Sequence, residues 1–581
     1  MFAEVYPVTR MPRRFGVFDY TCDASVQAGD LVWIPLRGRS VLGVVRVVKS
    51  TAGTTKRLSA IERVMLNKFF TPDDITRIES IATDIVQSPS TLFFQALMGI
   101  SKEPSKYITP TTTQKASISK DIVEQIKTFT EEKASFIQGS IETCIALAYQ
   151  YASKLDGQMI IVAPHEKDAH SIASLLPKNK RVATLHGKIP HNQRSSIIRS
   201  WRNGEIDILV GTKQATLLPA NNLSVGILYN PTHHDHVSYD RNPRFDAKVA
   251  LTLLCVQHKA EQISCGPTPQ IQIEPTPAVY AKTDIKVIDL SAQDEKTGIP
   301  FLSETLKQAI DGAHNDNKQA IVLYNRKGYA ARLRCKDCGH VPFCGSCGGI
   351  PKMRKDDLAC PVCHTEMWIP EKCPSCNGAN LKPRGIGNNR LREKWQEAFP
   401  GKTIATVDKK DHAILNADIL LVTEYFFSTI HSAFMRYNVG VVADACSDLH
   451  MDNTADAGLQ MASRIHRLSM FAKMQKVNPI VQTWTPTLIK PMVNLQRFYT
   501  QERDTRQTYN LPPFKKHIKI TCKKEIPEEL VALRTYAEAD EEIDLYEINS
   551  GLELLTSVEK YGKLLPYLQQ LPDHCILQIT L

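Results

Sequence analysis

Residues 335–376 read CKDCGHVPFCGSCGGIPKMRKDDLACPVCHTEMWIPEKCPSC. Eight of the chain's 15 cysteines fall here, as four C-x-x-C pairs: Cys335/Cys338, Cys344/Cys347, Cys360/Cys363 and Cys373/Cys376. Two intervening residues let a tight turn aim both thiolates at one ion. Tetrahedral Zn²⁺ takes four such sulfurs, so four pairs make two closed Cys₄ sites, and closed sites are structural rather than catalytic. The odd cysteine total and the scattered placement of the other seven argue against a disulfide framework. Redox dithiols are the alternative, but the stretch carries turn formers (Gly339, Gly345, Gly348, Gly349, Asp356, Asp357) and lacks the strand-then-helix context of a thioredoxin motif. So small a segment has too little apolar surface to fold alone, and the metal is expected to supply its folding free energy.

Outward from this segment, short apolar runs alternate with amphipathic stretches. QAIVLYN (319–325) precedes it, and TIATVD (403–408), ADILLVT (417–423) and GVVADA (440–445) follow, which predicts an α/β lobe over 286–500 with the zinc segment 335–376 as an insertion. GQMIIVAP (157–164), IDILVGT (206–212) and SVGILYN (224–230) predict a first parallel α/β lobe over 118–285. A Ser/Thr/Pro/Lys-rich stretch, 101–117, reads as a linker. Ahead of it, LVWIPL and VLGVVRVV predict a β-rich N-terminal domain over 1–100, and after Phe514 the tail to Leu581 reads as a small α+β domain, 501–581. The expected fold class is therefore multidomain α/β: two parallel lobes, a two-zinc insertion, an N-terminal β-rich domain and a C-terminal α+β domain.

Composition agrees with several ordinary cores: 581 residues, 43% hydrophobic and 23% charged. The formal net charge is +10, and residues 1–66 hold ten basic side chains against five acidic. This favours a polyanionic partner, with a merely solvated basic face as the alternative. No stretch approaches the roughly 18 apolar residues of a membrane span, and MFAEVYPVTRMPRRF lacks a signal-peptide core, which predicts a cytoplasmic protein.

NRKGYAARLRCKDCGH (325–340) leading into the four pairs, GIGNNRLREKWQEAFP (385–400) after them and LPPF (511–514) before the tail together resemble the PriA (primosomal protein N′) family. Those proteins are superfamily-2 DNA helicases of bacterial replication restart. Asn325, Arg326, Gly328, Tyr329 and Ala330 fit the family's Asn-Arg-Arg-Gly-Tyr-Ala segment. The resemblance implies that Cys335, Cys338, Cys373 and Cys376 hold one Zn²⁺ and Cys344, Cys347, Cys360 and Cys363 the other. It implies binding to forked, single-stranded or double-stranded DNA at abandoned forks, and work with other primosome proteins, including the replicative helicase or its loader, in a bacterial cytoplasm at the nucleoid. The family's pocket for the nascent 3′ end carries Phe-Asp-Tyr, here Phe18, Asp19 and Tyr20: an aromatic face can stack the terminal base, and a carboxylate can accept a hydrogen bond from the 3′ hydroxyl. The alternative is that Phe18 and Tyr20 fill a β core. The turn Pro35-Leu36-Arg37-Gly38 departs from the family's Pro-Phe-Gly, and a family lysine falls at Ser59.

Helicase chemistry is where the likeness fails. A P-loop needs glycines to let backbone N–H groups cradle phosphates, a lysine for the β and γ phosphates and a Ser or Thr for Mg²⁺. Residues 136–143 keep Gly139, Ser140 and Thr143 but place Ile141 at a glycine and Glu142 at the lysine. At an effective dielectric near 20 and about 4 Å, each like-charge pair between a carboxylate and a phosphate opposes binding by roughly 4 kcal/mol. Where Asp-Glu-Glu-His is expected the chain reads Asn230-Pro231-Thr232-His233-His234-Asp235-His236, a loop that has lost its carboxylates or, read otherwise, a transition-metal site. Gly211-Thr212-Lys213 fits Gly-Thr-Arg, and Thr268-Pro269 fits the end of Ser-Ala-Thr-Pro. Gln460, Arg464 and Arg467 fit the last helicase motif, with Ser463 and His466 replacing its glycines. Those arginines would stabilise transition-state charge in a motor, or form an ion pair or DNA phosphate contact without one. The linker leaves no room for the family's winged-helix module. The preferred expectation is a fork-binding, primosome-assembling protein that does not use ATP and Mg²⁺ in the family's manner. The alternatives are an ATP-dependent 3′ to 5′ helicase with an unorthodox nucleotide site using Asp235, Thr143, Arg464 and Arg467, and a protein that now serves RNA.

Overall fold

The alternating runs of residues 1–66 form one antiparallel sheet in the computed structural model, with strands β1 (Phe2–Pro7), β2 (Phe18–Thr21), β3 (Leu31–Leu36), β4 (Arg39–Lys49) and β5 (Arg63–Leu66) in the order β2-β1-β4-β3-β5. The structure describes all residues except 52–56, 101–119, 238–242, 274–276, 325–331, 339, 346–350, 354–356, 361–364, 385–387, 409–415, 430–437, 448–455, 523–525, 549–550 and 581. The linker thus lies outside the described residues. Arg37 and Gly38 join β3 to β4 with φ of 51° and 75°, the two positive values that a two-residue hairpin matched to strand twist requires. Ala3, Val5, Tyr20, Val32, Ile34 and Val45 form the core beneath one face.

Residues 72–97, expected within a β-rich domain, are two helices, Pro72–Asp84 and Pro89–Leu97. Thr71 and Asp74 close a capping box, and Pro72 opens the first turn, where its missing N–H costs nothing. The fully buried Arg77 donates to Thr216 O (2.8 Å), Leu218 O (3.1 Å) and Gln257 Oε1 (2.9 Å), binding this helix to the first lobe.

That lobe is a seven-stranded sheet of β6 (Phe136–Gln138), β7 (Gln158–Val162), β8 (Val182–Leu185), β9 (Ile208–Gly211), β10 (Leu223–Tyr229), β11 (Glu261–Gly266) and β12 (Ala278–Val279). The order is β12-β6-β11-β10-β7-β9-β8, and every pairing is parallel. All five residues of β7 are buried, as a strand covered on both faces demands. The carboxyl ends of the strands gather the turns that the sequence singled out: Gly139-Ser140, His165, Gly211-Thr212, Asn230–His236 and Thr268.

Tyr280–Glu502 form a second compact unit. After β13 (Lys286–Asp289) and β14 (Gln319–Leu323) come the strands of the cysteine insertion: β15 (Arg332–Cys335), β16 (Lys352–Met353), β17 (Leu358–Ala359), β18 (Glu366–Met367) and β19 (Leu381–Arg384). β15 pairs with β19, and β16-β17-β18 form a small antiparallel sheet. The lobe resumes with β20 (Ile404–Val407), β21 (Ile419–Val422), β22 (Val439–Asp444) and β23 (Ile480–Thr483), giving a six-stranded parallel sheet, β13-β23-β22-β14-β21-β20.

The tail, Arg503–Leu581, groups with Met1–Val279. Its strands β24 (Lys516–Cys522), β25 (Asp544–Ile548), β26 (Gly551–Thr556) and β27 (Cys575–Thr580) pair antiparallel in the order β25-β26-β24-β27, with helices Glu528–Glu538 and Val558–Gln570. It packs on the N-terminal helices and loop: Tyr561 Oη donates to Asp84 O (2.6 Å), Lys516 pairs with Asp84, and Arg13 donates to Cys575 O (2.8 Å). Among the described residues, no helix is long and apolar enough to cross a membrane.

Candidate functional site

β2 pairs with β1 so that Phe18, Asp19 and Tyr20 face Val5, Glu4 and Ala3. Side chains alternate along a strand, which puts Phe18 and Tyr20 on one face and Asp19 on the other. Tyr20 is buried in the sheet's core, where burial raises its pKa, and its hydroxyl donates to Pro35 O (3.1 Å). Phe18 is half-buried and stacks on Phe15, with centroids 6.5 Å apart and planes within 13°. Phe15 is 47% exposed and presents the open aromatic face of this corner. Ser59, at the family's lysine, accepts the Thr21 N–H through its carbonyl (2.9 Å). Several of the ten basic side chains are committed elsewhere: Arg46 and Lys49 to Glu4, and Arg14 to Glu529. Among the described residues, Arg37 and Arg39 at the β3–β4 tip have no ion-pair partner and stay exposed.

At the nucleotide position of the first lobe, β6 ends at Gln138 and the helix Ile141–Ser153 begins three residues later. Only Gly139 and Ser140 lie between, and a two-residue connection has no length to wrap a chain of phosphates with backbone N–H groups. Ser140 caps the helix by accepting the Glu142 N–H (3.2 Å), and the Gly139 N–H donates to Gly266 O (2.9 Å). The buried Thr143 side chain packs on Gly139: a Cβ there would lie 2.2 Å from Thr143 Oγ1. Glu142 stands in the helix's first turn.

After β10, the His233 ring accepts the Asp235 N–H at Nδ1 (3.2 Å). His236 is fully buried with Nε2 3.0 Å from Tyr229 O, and burial pushes its pKa down to about 4, which keeps it neutral. Thr232 and Thr268 meet through their hydroxyls at 2.9 Å, joining the turns after β10 and β11.

In the second unit, helix Ala457–Met474 carries Arg464 and Arg467 on one face, and both end on Glu424. Arg464 Nε donates to Oε1 (2.8 Å) and Arg467 Nη1 to Oε2 (2.6 Å). An internal carboxylate thus holds the two guanidinium groups that would reach phosphates in a motor. His466 is buried between them in sequence, 2.8 Å from Met492 O, and burial lowers its pKa to about 4.

The outer cysteine pairs converge. Cys335 Sγ lies 3.6 Å from Cys376 Sγ, Cys338 Sγ lies 3.6 Å from Cys373 Sγ, and all four sulfurs lie within 4.8 Å of one another. Sulfurs on a tetrahedral Zn²⁺ stand about 3.8 Å apart, so the quartet fits the ion. Asn380 Nδ2 donates to Asp337 Oδ1 (2.7 Å), and the Cys373 N–H donates to Gly378 O (2.8 Å), which brace the two turns. Of the inner set, Cys344 and Cys360 are buried, while Cys347 and Cys363 lie outside the described residues.

Comparison with known proteins places these parts in one family context. Residues 8–98 match the family model for a 3'DNA-binding domain (3'BD), and residues 140–235 match that for a helicase conserved C-terminal domain. The chain is 24% identical over 544 residues to the replication restart protein PriA of Rickettsia prowazekii, covering 85% of this chain and 83% of the relative. PriA of Borreliella burgdorferi is 24% identical over 417 residues, 66% of this chain and 62% of the relative, and PriA of Chlamydia muridarum is 23% identical over 512 residues, 78% and 66%. The chain is similar to the PriA replication restart proteins over most of its length.

The 3'DNA-binding match spans β2 to β5 and both N-terminal helices, so Phe15, Phe18, Asp19 and the Arg37–Arg39 tip all fall inside it. The helicase match falls on the first lobe and ends at Asp235. Sequence reasoning missed Phe15, because it sits in the loop ahead of β2, separated from it by Gly16 and Val17, and no periodicity marks it. It missed Glu424 as well, forty residues from Arg464, although a glutamate opening a helix after ADILLVT is visible in the sequence.

Proposed function

We propose that this chain is a DNA-binding replication restart protein that recognises stalled or abandoned forks, holds the nascent 3′ end with its N-terminal module and helps reload the replicative helicase without unwinding DNA itself. The observation that carries it is the match of residues 8–98 to a 3'DNA-binding domain, within a likeness to PriA over most of the chain. Phe18 and Phe15 supply the stacking face and Asp19 the acceptor for the 3′ hydroxyl, with Tyr20 supporting the strand from the core. Arg37 and Arg39 hold backbone phosphates. Supporting the absence of a motor are the two-residue Gly139-Ser140 turn, Glu142 at the lysine position and the engagement of Arg464 and Arg467 by Glu424. Two Zn²⁺ ions, on Cys335/Cys338/Cys373/Cys376 and Cys344/Cys347/Cys360/Cys363, fold the insertion. Its Trp368, 88% exposed, offers primosome partners an aromatic anchor. The protein acts in the cytoplasm at the nucleoid.

Fluorescence anisotropy on forks ending in a 3′ hydroxyl or a 3′ phosphate tests the end-binding claim. The hydroxyl fork is expected to bind about tenfold more tightly, roughly 1.4 kcal/mol, and Asp19→Ala to remove that preference. Equal affinity for both forks in the unsubstituted protein contradicts it.

A further inference from the structure

His165 lies three residues past the end of β7, and His233 and Asp235 follow β10. The two strands are parallel neighbours with Val162 opposite Leu228, so their turns emerge side by side from a rigid sheet. There Asp235 Oδ2 lies 3.1 Å from His165 Nδ1 and 3.9 Å from His233 Nδ1, and one ligand atom from each of the three residues falls within 4.8 Å of the others. The rings are held: His165 and His233 meet edge to face at 4.6 Å, and His234 stacks on His233 at 4.6 Å. Among the described residues, the Asp235 carboxylate meets three histidines, the third being His234 at 3.5 Å, and no lysine or arginine.

We propose that His165, His233 and Asp235 bind a first-row transition ion of the Zn²⁺ class. Two imidazoles and one carboxylate suit such an ion, whereas Mg²⁺ and Ca²⁺ take oxygen ligands. Bound at 2.0 to 2.2 Å in a tetrahedron, the three ligand atoms stand roughly 3.4 Å apart, between the 3.1 Å of the His165–Asp235 pair and the 4.8 Å that bounds the present arrangement. The Asp235 N–H, which His233 Nδ1 now accepts, marks the hydrogen bond that yields if that nitrogen turns to the ion. Half-exposed Asp235 leaves the fourth position to water, unlike the closed cysteine sites. The site lies at the carboxyl edge of the first lobe's sheet and uses none of the groups assigned to DNA-end binding, so its fate is separate from that reading.

The test uses the full chain with its cysteine sites filled with Zn²⁺ and loosely held metal removed by a weak chelator, followed by titration with Co²⁺. The unsubstituted protein is expected to take up one Co²⁺ more than Asp235→Asn and His165→Ala, both surface-accessible changes, with visible d–d bands and no sulfur-to-cobalt charge-transfer band. X-ray absorption on the unsubstituted cobalt-loaded protein should give a shell of nitrogen and oxygen without sulfur, a reading independent of whether the variants fold. Equal Co²⁺ uptake by folded variants, no uptake by the unsubstituted protein, or a sulfur shell overturns the proposal.

Discussion

Glu424 answers two guanidinium groups at once, and its removal leaves Arg464 and Arg467 side by side in a half-buried setting without their common counter-charge. Breaking charge-assisted bonds of this kind costs about 1–3 kcal/mol, so Glu424→Ala should lower hydrogen-exchange protection across helix 457–474, and Glu424→Gln should lower it less. Unchanged protection in Glu424→Ala contradicts a structural role for the pair. His466, one residue from Arg467, adds a pH dependence. Its folded pKa of about 4 lies below the ordinary 6.5, so the unfolded chain takes up a proton between pH 6.5 and 4 that the folded chain refuses. Its contribution is complete above pH 6.5 and lost as the pH falls toward 4, by up to about 3 kcal/mol. His466→Gln, which keeps an N–H for Met492 O and does not titrate, should flatten the fall in melting temperature over that window; an identical fall shows that other groups cause it. At this scale the sequence is legible where chemistry sits in one short stretch, as with the cysteines. Partners such as Glu424 with Arg464, or His165 with Asp235, are joined only by the sheet and stay hidden in the linear pattern.

The insertion between β14 and β20 is the element whose stability is most separable. Its strands are two to four residues long, so in the proposed function metal bound by the cysteines supplies what apolar burial cannot. Chelation should therefore abolish hydrogen-exchange protection in 335–376 while β1–β5 keep theirs; equal loss in both contradicts this. Parallel strands read well from sequence because burial on both faces makes them continuous apolar runs, as in QMIIV and ILLV. The helices of residues 72–97 were not legible as a departure from the β-rich stretch, although Thr71-Pro72 with Asp74 is a helix-start signal. The length of the Gly139-Ser140 connection was hidden for another reason: residue identity shows what a loop has lost, but only the ends of β6 and of the next helix show that no loop remains.

Across the whole molecule, the proposed function keeps the parts that match a 3'DNA-binding domain and does without the family's nucleotide chemistry. The N-terminal sheet, its helices and the tail form one compact unit with the first lobe, tied by Arg77, Asp84 and Arg13 across hundreds of residues of sequence, a pairing no local pattern reveals. That unit carries the 3'DNA-binding match, and the second unit carries the converging outer cysteines and the clamped arginines. The measurement that bears most directly on this account is ATP turnover by the purified, zinc-loaded protein on a forked DNA with a nascent 3′ end, alongside Glu142→Lys and Arg467→Ala. The account predicts tight fork binding with turnover no higher than background. Turnover above background that Arg467→Ala abolishes would contradict it and make the protein a helicase with an unorthodox nucleotide site.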